Sequence, residues 1–336
     1  MVQLKPVGEQ VVALMGASSG IGRETALRFA KRGAKVVVSA RGEEGLDSLV
    51  EEIRRGGGEA TAVVADTSDF GRVKAVADRT VEEYGRLDTW VHLAAASVFA
   101  RFEEIEPEEF KRVVDVDLTG QAFGAMAALP PIKREGRGAL VHVSSVLARR
   151  SVPLQSPYCA AKHGVDGFLE SLRVELRRDG WPIGVTNVMP AVINTPFYDK
   201  ALTKMGVKPT GFPPAYQPGV VADAILYAAE NAPRDIVAGG AGKQMLLGQR
   251  LSPRMMDAFM LRGAFGTQQT DEPKGPDASN ALFGPIEGHG KAQADLDKTV
   301  SRSLQVWLDT HPATKRGAFA ALGAAVLLAA RAAVRS

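Results

Sequence analysis

The 336 residues are 45% hydrophobic and 24% charged, ordinary figures for a globular chain that forms one large α/β domain or two smaller ones. A formal net charge of +3, with no long basic stripe interleaved with aromatics, argues against nucleic acid as a partner. The single cysteine, Cys159, excludes an internal disulfide framework and suits a reducing compartment.

The N-terminal MVQLKPVGEQ has no apolar signal core, so export by that route is not expected and cytoplasmic residence is. From residue 10 to about 240, short β-branched runs alternate with helical stretches. The first strand is predicted at 11–15, followed by Gly16, Gly20 and Gly22 and a helix over 21–32. Glycines let a backbone approach a pyrophosphate closely, and a helix N-terminus offers unpaired N–H groups and a positive dipole end. Further strands are predicted at 35–39, 60–65, 89–94, 139–144, 183–188 and 235–237. Helices are predicted over 43–55, 70–84, 107–128, 158–178 and 220–231. Several strands are continuous apolar runs, as in a parallel sheet buried on both faces. The order implies a doubly wound, Rossmann-like α/β fold of about seven parallel strands with right-handed crossovers.

The second strand ends in SAR, residues 39–41. Dinucleotide folds place a carboxylate near here to bind the ribose 2′-hydroxyl. Ala40 and Arg41 stand there instead, and a guanidinium suits a 2′-phosphate. The expected cofactor is therefore NADP(H), with NAD(H) as the alternative. Tyr158 precedes Lys162 by four residues, one helical turn, so the two share a face. A nearby cation favours phenolate, which brings a phenol closer to acid–base service near neutrality.

Residues 190–219 break the rhythm with prolines and aromatics, and are expected to form a lid over the substrate. Residues 1–250 read as the dinucleotide-binding and catalytic domain, and 251–336 as a C-terminal extension. In that extension a Met-rich helix is expected at 253–265, a poorly ordered polar segment at 266–295 and a helix at 296–308. An apolar helix is expected at 317–334. Its core, GAFAALGAAVLLAA, is shorter than the roughly 20 apolar residues of a spanning helix. It reads either as a peripheral or C-terminal membrane contact or as a helix packed on protein.

With Gly16-x-x-x-Gly20-Ile21-Gly22, Ser145 and Tyr158-x-x-x-Lys162 in order, residues 8–245 resemble the short-chain dehydrogenase/reductase family. The resemblance implies hydride transfer between nicotinamide and an apolar carbonyl or secondary alcohol. It implies that Tyr158 is the acid/base, that Lys162 lowers its pKa and holds the nicotinamide ribose, and that Ser145 binds the substrate oxygen. It also implies cofactor contacts from Gly16, Ser18, Ser19, Gly20, Ile21 and Gly22 in the cradle, and from Asp66 and Thr67 beside adenine. Pro190, Ile193 and Thr195 are implied at the nicotinamide end, and Ala94 as a further cofactor contact; no metal is expected, since no second His, Cys or carboxylate stands near His92 at ligand spacing. A homodimer or homotetramer is implied, built on the long helices after Pro107 and Pro157.

Two departures from the family pattern stand out. The family's N-N-A-G appears as His92-Leu93-Ala94-Ala95, so an apolar link from Met15, His92 and Leu93 is expected to replace a polar one. The family's asparagine on the central helix is replaced by Asp117, whose charge is expected to offset Lys162 in part and leave activity retained but slower or shifted to alkaline pH. A second reading of function is a cofactor-binding sensor or scaffold with little turnover.

Overall fold

The computed structural model describes residues 3–286, 288, 290–296, 298–315 and 317. Seven parallel strands form the central sheet: β1 (Val11–Met15), β2 (Lys35–Ala40), β3 (Ala60–Val64), β4 (Thr89–His92), β5 (Gly138–Val143), β6 (Ile183–Pro190) and β7 (Asp235–Ala238). Their order is β7-β6-β5-β4-β1-β2-β3. Each crossover passes through helix: α1 (Gly20–Lys31), α2 (Glu43–Arg55), α3 (Phe70–Tyr84), α4 (Pro107–Val114), α5 (Gly120–Arg134), α6 (Ser156–Arg178) and α7 (Pro218–Asn231).

Both faces of the sheet are covered, which is why β1, β5 and β6 are buried along their whole length. Alternate residues serve opposite layers. Val12 and Leu14 pack with Phe29, Leu49 and Ile225 from α1, α2 and α7. Ala13 and Met15 pack with Val76, Ile132, Val165 and Leu169 from α3, α5 and α6. A register row, Ser39–Met15–His92–His142–Asn187, crosses the sheet near its C-terminal edge, so the ends of the strands form one rim. Ligand sites of open α/β sheets lie outside such an edge.

The helix predicted over 107–128 is interrupted. Asp115–Thr119 form a π-turn between α4 and α5. Such an insertion re-aims the side chains it carries, and it places Asp117 in the interior, fully shielded from solvent. The predicted lid is less a free loop than a set of small pairings. Leu202–Thr203 runs parallel to Val98–Phe99, and Ala215–Tyr216 runs parallel to Thr299–Val300.

Past β7, α8 (Gly240–Leu251) was not expected, and α9 (Pro253–Thr267) extends the predicted Met-rich helix. Within the polar segment that follows, two contacts with the body are described. Gln269–Pro273 pairs antiparallel with Val207–Pro209, and Leu282 is buried at 1% exposure. The helix predicted at 296–308 is confined to α10 (Leu304–Thr310), since Thr299–Val300 is spent on a strand. The apolar stretch 317–334 lies outside the described residues except for Gly317. Among the described residues no helix is long and apolar enough to cross a membrane.

Candidate active site

At the rim β1 turns sharply into α1. Gly16 has φ +87°, and a Cβ there would sit 2.5 Å from the Ala94 nitrogen. A Cβ on Gly22 would sit 2.1 Å from the Gly16 carbonyl oxygen. No side chain fits at either position, so the turn exposes bare backbone beneath the first turn of α1. That is the geometry a pyrophosphate needs.

The cradle floors a cavity of about 740 Å³. Its lining includes Gly16, Ser18, Ser19, Gly20, Ile21 and Gly22, then Arg41, Asp66, Thr67 and Ala94. Ser145, Tyr158, Lys162, Pro190, Ile193 and Thr195 complete the predicted set in the same cavity. Asp117 is the exception: it does not reach the cavity but lies behind Lys162, with Oδ2 3.2 Å from Nζ. Its Oδ1 accepts from the Ala96 N–H at 2.7 Å. Burial pushes the Asp117 carboxyl above the usual carboxylate range, with Lys162 opposing.

Ser145 ends the loop after β5, where its Oγ caps the turn Val146–Ala148 by accepting from the Leu147 N–H at 3.1 Å. Tyr158 and Lys162 lie one turn apart on α6, with Nζ 5.2 Å from the centre of the phenol ring. The phenol neighbours Ser145, whose hydroxyl favours the phenolate, and packs edge-on against Phe197 at 5.7 Å. Burial, and next the charge of Asp117, push the phenol well above its ordinary pKa, and Ser145 works against them. This balance runs opposite to the expected lowering by Lys162. The main reason is burial of the phenol, and the second is the carboxylate of Asp117, which also pairs with Lys162.

On the adenine side, Asp66 accepts from the Ser68 N–H at 2.9 Å and pairs with Arg112 at 2.6 Å. Burial disfavours its charge, but the Arg112 and Ser68 hydrogen bonds outweigh that and hold the carboxyl below its usual range. Arg41 donates to the carbonyls of Ala281 and Leu282. Sequence reasoning missed Arg112 and the C-terminal residues 281–286 and 290–291. Neither has a local signature, since each acts through a contact with a residue far along the chain. Met15 packs in the apolar core, as expected, while the His92 ring takes polar partners elsewhere. His92 Nε2 is 2.9 Å from Thr67 Oγ1, and Nδ1 accepts from the Trp90 indole at 3.4 Å. Among the described residues no cluster of His, Cys, Asp or Glu could hold a metal ion.

Beyond Tyr158 the cavity turns apolar, lined by Phe212, Met245, Met256, Phe259 and Met260 from the lid, α8 and α9.

A glycine cradle at the edge of a parallel sheet, joined in one cavity to a serine, a tyrosine and a lysine, defines a nucleotide-binding oxidoreductase fold. The family model for short chain dehydrogenase matches residues 10–206, and the chain belongs to that family. It is 35% identical to uncharacterized oxidoreductase YxnA of Bacillus subtilis over 99% of this chain and 93% of that one. It is 32% identical to the 3-oxoacyl-acyl-carrier-protein reductase FabG of Thermotoga maritima, over 66% of this chain and 91% of that one. An alcohol dehydrogenase from the archaeon Thermococcus sibiricus, solved with 5-hydroxy-NADP, shares the fold. It matches with TM-score 0.60 and 23% identity over 68% of this chain and 96% of that one.

Proposed function

We propose that the chain is an NADP(H)-dependent oxidoreductase for an apolar carbonyl or secondary alcohol. The observation that carries this is the meeting of Ser145, Tyr158 and Lys162 in the cavity floored by the glycine cradle. The cradle suits the cofactor: two of its glycines admit no side chain, and the dipole of α1 favours phosphate. When bound, the nicotinamide supplies or accepts the hydride. Ser145 holds the substrate oxygen and stabilises the charge that develops on it. Tyr158 donates its proton to that oxygen in reduction and removes it in oxidation. The apolar wall from α8 and α9 excludes water and holds the rest of the substrate. The relatives' names point the same way, because a 3-oxoacyl reductase and an alcohol dehydrogenase both handle carbonyl or alcohol groups.

A sensor or scaffold is the second reading, and one observation favours it: the buried charge of Asp117 raises the barrier to forming phenolate. Tyr158→Phe separates the two. Catalysis predicts that NADPH consumption across a panel of ketones and aldehydes falls by about 10²–10⁴-fold while NADPH binding persists. Equal rates in both proteins leave only the binding role.

A further inference from the structure

We propose that C-terminal residues 281–286 and 290–291 form the outer wall of the dinucleotide site, holding Arg41 in place for a 2′-phosphate and slowing release of the adenosine half. The inference rests on the reading of the cavity as an NADP(H) site.

Three anchors tie the segment to the crevice. Ala281 N–H donates to the Lys200 carbonyl at 2.7 Å, joining the segment to the lid. Leu282 is buried in a cluster with Tyr158, Val113, Val116 and Leu202, and its carbonyl accepts from Arg112 Nε at 3.0 Å. At the far end the Lys291 carbonyl accepts from the Gly20 N–H at 2.9 Å, in the cradle itself. Between these, Pro285 approaches to 3.4 Å of the Cβ position of Gly42, just past Arg41. The C-terminal residues that make these contacts lie outside the residues matched by the family model, which end at 206.

The segment is a wall rather than a plug. With it in place the cavity still measures about 740 Å³, and Ala281, Pro285 and Ile286 line it together with Gly16 and Gly20. Phe283 is 59% exposed and, with Pro285, shares a recess with Arg41, Val64 and Arg72 beside the main cavity. A flat aromatic ring there suits stacking at the purine end.

Arg41 explains the coupling to cofactor choice. Its guanidinium spends one N–H from each terminal nitrogen on the carbonyls of Ala281 and Leu282. Of the five N–H groups of an arginine, about three then remain for an anion, on a fork that is already oriented. A phosphate is a stronger partner than a neutral carbonyl. The carbonyls therefore steer the side chain and leave its remaining capacity for the ligand.

The test uses the full chain with Leu282→Ala and with Phe283→Ala, whose exposed site protects the fold. NADPH dissociation is followed by stopped-flow fluorescence, and tryptic cleavage after Lys291 is followed with and without NADPH. The expected result is dissociation faster by about tenfold in Leu282→Ala, since changes at a binding surface act mostly on the off-rate. A smaller acceleration is expected in Phe283→Ala, and NADPH slows cleavage in the unmodified chain. Unchanged off-rates and cleavage overturn the wall alone, as does tighter binding by the variants, which marks a segment that competes with cofactor. Failure of the unmodified chain to bind NADPH overturns the cofactor reading as well.

Discussion

Asp117 and Lys162 form an ion pair at 3.2 Å, with side-chain exposures of 0% and 1%. The pair lies directly behind the phenol of Tyr158, so the carboxylate acts on the same ring that Lys162 is placed to tune. Asp117→Asn removes the negative charge and keeps the shape. Alcohol oxidation needs the phenolate, and phenolate becomes easier to form once Asp117's charge is gone. The rise of oxidation rate with pH is expected to move to lower pH in the variant, measured as kcat/KM against pH. An unmoved profile refutes the electrostatic role of Asp117.

The two buried histidines of the sheet make stability sensitive to acid. His92 and His142 stack with ring centres 6.0 Å apart, and neither is exposed. Around them stand Thr67, Trp90, Gln121 and Phe168. Burial, then Arg173 and Lys162, hold His142 at a pKa of about 3, below its ordinary 6.5. Burial, then His142 and Lys162, hold His92 well below 6.5. Below pH 6.5 the unfolded chain therefore binds protons that the folded chain refuses. Stability is present above that pH and is lost as pH falls toward 3. Each histidine contributes a slope approaching about 1.4 kcal/mol per pH unit. Urea unfolding at a series of pH values checks this, with His142→Gln expected to flatten the curve.

Arg41 is expected to decide between the two dinucleotides. A hydrogen bond to a charged group contributes roughly 1.5–3 kcal/mol. Arg41→Ala should raise the KM for NADPH by about tenfold or more and leave that for NADH nearly unchanged. Equal effects on both would assign Arg41 to the 281–286 contact alone.

Gly124 on α5 lets the helix press against the sheet. A Cβ there would lie 2.4 Å from His92 Nδ1 and 2.6 Å from the Trp90 indole nitrogen. Gly124→Ala is therefore expected to destabilise the fold despite the better helix propensity of alanine, by about 1–3 kcal/mol. Thermal unfolding reads the effect directly, and a variant as stable as the parent would show that the sheet yields freely at this point.

The α/β alternation, the glycine cradle and the Tyr158-x-x-x-Lys162 spacing were legible because each is local. A strand period, a turn that only glycine can make and a one-turn helical offset are written within a few neighbouring residues. The π-turn at Asp115–Thr119 was not legible, since composition there is compatible with uninterrupted helix. Nor was the polar link at His92, whose partner Thr67 stands 25 residues earlier in the chain.

Sequence alone determined which chemical groups this protein brings to its crevice and in what order along the strands. Tertiary structure alone decided their electrostatic states and their enclosure. Asp117 opposes Tyr158 only because the π-turn buries it behind Lys162. Arg112 and Arg41 meet the C-terminal segment across 170 and 240 residues of chain. Burial and charge depend on what lies within a few ångströms in space, and that neighbourhood exists only once the chain has folded.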